Sequence, residues 1–72
     1  MNKAIDEFFE IVMGFQSEPN HVSVTFSKHA GVFRLPVGRS DFVSQMTNIA
    51  AAFKTDVEVK VMLRGDEIIS VG

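Results

Sequence analysis

The chain offers little that could do covalent or metal chemistry. It has no cysteine and only two histidines, His21 and His29. With no thiolate to join them, a structural zinc site is not expected, and no other metal or cofactor is called for. Nucleophilic catalysis needs a serine or similar group beside a base that is itself oriented by an acid. Here each serine and threonine falls in an alternating strand pattern, at a cap or on a helix face, and none lies in a nucleophile-elbow motif. The carboxylates are scattered. Asp6, Glu7 and Glu10 share one polar face, Glu58 lies on a strand, and Asp66 and Glu67 flank a turn. Solvated surface is the expected role for such charges. No Gly-rich phosphate loop or dinucleotide fingerprint is present. The expectation is a binding protein and not an enzyme.

Two places retain chemical interest. His29 lies in a loop shortly before Gly31 and is the one candidate phosphoacceptor, whereas His21 reads as a surface residue at the start of a strand. Arg34, Arg39 and Ser40 lie on the approach to a helix N-terminus. Two guanidinium groups and free helix amides together can hold an anion. Asp41 counts against that site, because a carboxylate in the first turn already occupies the favourable field.

These residues must be positioned by a small number of elements. Ile5, Phe8, Phe9, Val12 and Phe15 recur at helical spacing, with Lys3, Asp6, Glu7 and Glu10 opposite, which predicts an N-terminal amphipathic helix over 1–15. Pro19 stops it. From His21 to Ser27, Val22, Val24 and Phe26 alternate with Ser23, Thr25 and Ser27, the pattern of a half-buried strand. Residues 31–37 read equally as a second strand or as an irregular loop, since Pro36 removes a ladder donor. Ser40 is the expected N-cap of a second helix whose buried stripe is Phe42, Met46, Ile49, Ala50 and Phe53. Residues 56–63 alternate again, Gly65-Asp66 suits a II′-type turn, and 67–71 return as the last strand. That pairing sets Leu63 opposite Ile68 and Met62 opposite Ile69. The expected fold is a single α+β domain over 1–72: an open-faced sandwich with two helices on one face of a three- or four-stranded sheet.

Composition narrows the partners. A domain of 72 residues buries only about 60% of the surface its unfolded chain exposes, so its core is thin and self-association is open. Met62, Ile69 and Val71 form a candidate dimer face on the far side of the sheet, so a small structural homodimer is one reading. The net charge of −2 with no basic run disfavours nucleic acid. No apolar run approaches a membrane span. The first residues do not read as a signal peptide, and a cytoplasmic location is expected.

The segment from Val22 to Ser70 resembles the bacterial sugar-phosphotransferase phosphocarrier family, HPr. The residues that carry the resemblance are the strand Val22-Ser23-Val24-Thr25-Phe26 and the loop Gly31-Val32-Phe33-Arg34-Leu35-Pro36-Val37. The helix with Phe42-Val43 and Phe53, Thr55-Asp56-Val57 and the hairpin at Gly65 complete it. Phe33 stands where the family has its phospho-accepting histidine, and Leu35 where it has a phosphate-supporting arginine. The resemblance thus implies an HPr-like domain over 21–72 that has lost phosphoryl transfer at that site. Such a domain would act in regulation or protein binding through Phe33, Leu35 and Val37. The alternative it leaves is a phosphocarrier that uses His29.

Overall fold

Residues 4–72 are described in a computed structural model, and strands are their commonest element. In chain order they form β1 (Ile5–Glu10), β2 (Val12–Ser17), β3 (His21–Phe26), β4 (Phe33–Pro36), α1 (Phe42–Thr55), β5 (Val59–Arg64) and β6 (Glu67–Val71). All six strands belong to one sheet, in the order β1-β5-β6-β4-β3-β2. The two-helix sandwich is therefore corrected to a six-stranded sheet with a single helix among the described residues.

The difference lies in the first fifteen residues, of which 1–3 fall outside the described part. Where a helix is expected, the chain runs as β1 and β2, separated only by the half-buried Ile11. Phe8 and Glu10 share a face with the inward Val61 of β5, while Phe9 points outward beside Lys60. Past Ile11, Val12 points inward opposite Phe26, and an irregularity between Val12 and Gly14 brings Phe15 opposite Val24. A corner and a bulge so close together break the two-residue period, and the resulting spacing imitates a helical stripe. The residue types favour the strand. Ile5, Phe8, Phe9, Ile11, Val12 and Phe15 are β-branched or aromatic, and Gly14 is a poor helix interior.

β1 and β2 form opposite ends of the sheet, yet they are consecutive in the chain. The sheet must curl for both statements to hold. Counted as one bent strand, residues 5–17 pair with β5 by their first half and with β3 by their second. The remaining pairs are β3 with β4 antiparallel, β4 with β6 parallel and β5 with β6 antiparallel, with α1 between β4 and β5. This is the connectivity of the OB type of partly open, Greek-key barrel. One continuous core fills it: Val12, Val22, Val24, Phe26, Leu35, Val61, Leu63, Ile68 and Val71 from the strands, with Ile49 and Ala52 from the helix.

The last hairpin turns at Gly65, whose φ of 62° supplies the positive first turn position. Leu63 opposes Ile68 as expected, but Met62 opposes Ser70 and not Ile69. The ladder skips one residue there, and the slip swings Val71 into the core at 1% exposure. Val71 is thereby removed from the candidate dimer face, and Met62 and Ile69 remain half-buried.

Between β4 and β6 the ladder holds at a single pair, Arg34 with Glu67. The rest of that seam is closed by side chains. Arg39 donates to the carbonyls of Ile68 and Ile69, at 2.6 Å for the latter. Gln45 Oε1 accepts the Val71 N–H at 2.8 Å, and Asn48 Nδ2 donates to the Val71 carbonyl at 2.8 Å. Helix α1 thus serves as a polar strap over the slit as well as an apolar plug. Its N-cap is Asp41, not Ser40, and it ends on Asp56 in the left-handed region at φ 56°, so β5 starts at Val59 and not at Asp56.

Candidate functional site

Register determines what the outer face of β2, β3 and β4 presents. Because Val22, Val24 and Phe26 point inward, His21, Ser23 and Thr25 point outward. Gly14 lies opposite Thr25 and Gln16 opposite Ser23 on β2, while Arg34 lies opposite Ser23 and Pro36 opposite His21 on β4. Glu18 joins the His21 end, where its N–H donates to the His21 carbonyl at 2.8 Å. A groove of about 340 Å³ runs over this surface, lined by Gly14, Phe15, Gln16, Glu18, Ser23, Thr25 and Val32.

The groove exists because small residues meet at its floor. Position 14 has no side chain to cover Thr25, and its φ is ordinary, so the glycine is not there to satisfy a turn. Thr25 Oγ1 reaches the Gly14 carbonyl at 3.4 Å, and Ser23 Oγ shares a hydrogen bond with His21 Nε2 at 3.2 Å. Gln16 and Glu18 add an amide and a carboxylate, and the exposed Val32 supplies an apolar wall from the β3–β4 loop. The inventory is rich in neutral donors and acceptors. No lysine or arginine lines it.

The Ser23–His21 contact does not make a nucleophile. Among the described residues no carboxylate hydrogen-bonds His21 to fix its tautomer, the third part such a device needs.

The β3–β4 loop that carries Val32 is tied down from below. Glu10 ends β1 with its side chain fully buried. Its carboxylate accepts from Ser27 Oγ at 2.8 Å, from the Lys28 N–H at 3.0 and 3.1 Å, and from His29 Nδ1. The His29 ring stacks on Phe8, with centroids 3.8 Å apart and planes 13° apart. Burial pushes the Glu10 carboxyl upward, but the bonds from His29, Ser27 and the Lys28 amide outweigh it and hold the group below its ordinary value of 4.5. Lys28 itself reaches Glu58 at 2.6 Å on the surface.

The residues singled out from sequence do not assemble as expected. Leu35, expected at a partner surface, has no exposure at all and faces Val22 in the core. Phe33 is half-buried against Phe26, with ring centroids 5.6 Å apart. Val37 stays exposed. Arg34 pairs with Asp66 at 3.1 Å, and Arg39 with Asp41 at 2.7 Å and Glu67 at 3.8 Å, so each guanidinium is already answered by an acid. The Arg39 hydrogen bond in turn holds the Asp41 carboxyl below its usual value. Ser40 is exposed and caps nothing. His29 is committed to Glu10 and Phe8 of β1. Phe33 sits inside the β3–β4 hairpin, and the described residues form one helix against a six-stranded sheet, not two helices over one sheet face.

Gln16, Ser23 and Thr25 read in sequence as the plain solvated face of strands. The one local signal was Gly14 within an apolar pattern, which in a strand marks a bulge or an approach by something else. The described residues include no helix long and apolar enough to cross a membrane, and no cluster of His, Asp and Glu suited to a metal. Comparison with known protein families, with curated proteins and with solved structures yields no match.

Proposed function

We propose that the domain is a non-catalytic binding module that takes an uncharged oligosaccharide along the outer face of β2, β3 and β4. Connectivity favours this location, since OB-type barrels use the face of their second and third strands for oligonucleotides and oligosaccharides. Connectivity alone does not supply a ligand. The choice comes from the side chains. Single-stranded nucleic acid is held by a basic groove and by aromatic rings on which bases stack. Here Ser23 and Thr25 occupy the floor, Gln16 and Glu18 one side, and the lone outward arginine beside them is neutralised by Asp66. Hydroxyls, an amide and a carboxylate match the donors and acceptors of sugar hydroxyls, and Val32 can cover a sugar's C–H face. The single observation that carries this reading is a groove full of hydrogen-bonding groups and free of lysine and arginine.

Gly14→Leu provides the test. A Cβ at this position meets Thr25 Oγ1 at 3.6 Å, an ordinary contact, so a larger side chain fills the groove without displacing backbone. Glycine inside a strand is itself unfavourable by about 0.5–1 kcal/mol relative to alanine, so the variant should fold. Calorimetric titration with cello-, malto- and N-acetylglucosamine hexamers should show binding of at least one by the wild type. Gly14→Leu should weaken it by about tenfold or more, equivalent to about 1.4 kcal/mol. Binding of a short single-stranded DNA in preference to every sugar, or affinity untouched by Gly14→Leu, would overturn the reading.

A further inference from the structure

Glu10, at the end of β1, holds one end of the β3–β4 loop and Val32 lies at the other, and this connection assigns Glu10 a role in the groove that it never touches. We infer that Glu10, His29 and Phe8 form a latch that fixes the β3–β4 loop and so positions the Val32 wall of the binding groove. This rests on the oligosaccharide reading only for its consequence; the latch itself can be tested without any ligand.

The loop has little else to hold it. From Ser27 to Val32 every residue is exposed, and Gly31 is at φ 98°, a conformation open chiefly to glycine. The backbone between the strands is anchored at Ser27, whose N–H donates to the Ile11 carbonyl at 3.1 Å, and at Lys28. Three successive residues, Ser27, Lys28 and His29, all donate to one carboxylate. That carboxylate is fully buried at the end of a strand paired with β5 as far as Glu10 and Val59. Three residues beyond His29 the chain reaches Val32, and it enters β4 at Phe33. Glu10 is a positioning residue acting through this loop.

The charged and titratable groups around the latch are His29 and Lys28 on the loop and Glu58 beyond α1, the last engaged with Lys28. Protonating Glu10 opens the latch, because the acid then offers a proton where the Lys28 amide and His29 donate. With the folded-state value held below 4.5, the latch is closed at neutral pH and opens as pH falls through that lowered value.

Methyl NMR of Val32, recorded with Val24 and Ile49 as reporters of the core, reads this directly. In the wild type Val32 and the Lys28 amide should titrate together at a midpoint below 4.5 while the two core methyls stay in place. Glu10→Gln, which cannot accept all three donors, should show the acid-form Val32 signal already at pH 7 and no titration. His29→Ala, which removes one of the bonds lowering the carboxyl, should move the midpoint upward. That shift is an effect a merely structural role would not produce, and it remains available if Glu10→Gln fails to fold. With cellohexaose as probe, affinity should fall about tenfold across the same titration. Val32 signals that ignore pH, or that titrate unchanged in His29→Ala, would overturn the latch. Absence of sugar binding with the Val32 titration intact would reject the oligosaccharide reading and leave the latch standing.

Discussion

Truncating Leu35 to alanine should destabilise the domain by about 3–4 kcal/mol, the range for emptying a fully buried leucine site that cannot collapse. Leu35 has no exposed surface. It sits on the four-residue strand β4, opposite Val22. β4 is held to β3 by four ladder pairs, Leu35 with Val22 among them, so neighbouring backbone has little freedom to close the hole. A chain of 72 residues carries about 4–11 kcal/mol of total stability at the usual per-residue value. The loss therefore takes a large part of it and should show in chemical denaturation as a fall in midpoint at constant slope. Phe33→Ala should cost less, about 2 kcal/mol, because that ring is only half-buried against Phe26. Equal stability of wild type and Leu35→Ala would place this residue outside the core.

Arg39→Ala should cost about 3 kcal/mol, since a hydrogen bond to a charged group contributes about 1.5–3 kcal/mol and two carbonyls lose their donor together. The guanidinium closes part of the sparsely paired β4–β6 seam, giving the Ile68 and Ile69 carbonyls a donor. It also forms two bonds to Asp41, at 2.9 and 2.7 Å, which tie the start of α1 to β6. Lysine at this position has a point charge and no planar fork, so Arg39→Lys should recover less than half of the loss. Thermal unfolding of the three proteins checks this. A lysine variant as stable as the wild type would mean that charge alone, and not the fork, closes the seam.

How legible the fold was depends on how strictly each segment kept its period. β3 reads directly, because Val22, Val24 and Phe26 alternate without interruption and all are buried. α1 reads from Ile49 and Phe42 on one stripe, and the final hairpin reads from Gly65. The first strand did not, because its register changes at Ile11 and again at Gly14, and each change moves the apolar residues to the other face. Its long-range partners, β5 and β3, are what make it a strand, and neither is local. The family resemblance rests on the spacing of Gly31 and Pro36, with Phe33 as a departure, and that segment is one arm of a hairpin inside a curled sheet.

The binding face was hidden for a different reason. Its floor is defined by what Gly14, Ser23 and Thr25 lack in bulk, and these residues meet only once β2 and β3 are in register. Glu10 was equally misleading. In sequence it belongs to a charged face with Asp6 and Glu7, and only the loop folded over it makes it a buried acceptor for three successive residues. A carboxylate so placed acts as a fixed point for the backbone, which is why loop order and groove shape are coupled in this barrel.

The most direct measurement is a backbone amide NMR titration of the folded domain with the neutral hexasaccharides. The shifting amides should cluster on Gly14, Gln16, Glu18, Ser23, Thr25 and Val32, with α1 and the outer face of β1 and β5 unmoved. Shifts concentrated on Ile5, Phe9 and Met62, or on the exposed side of α1, would contradict it.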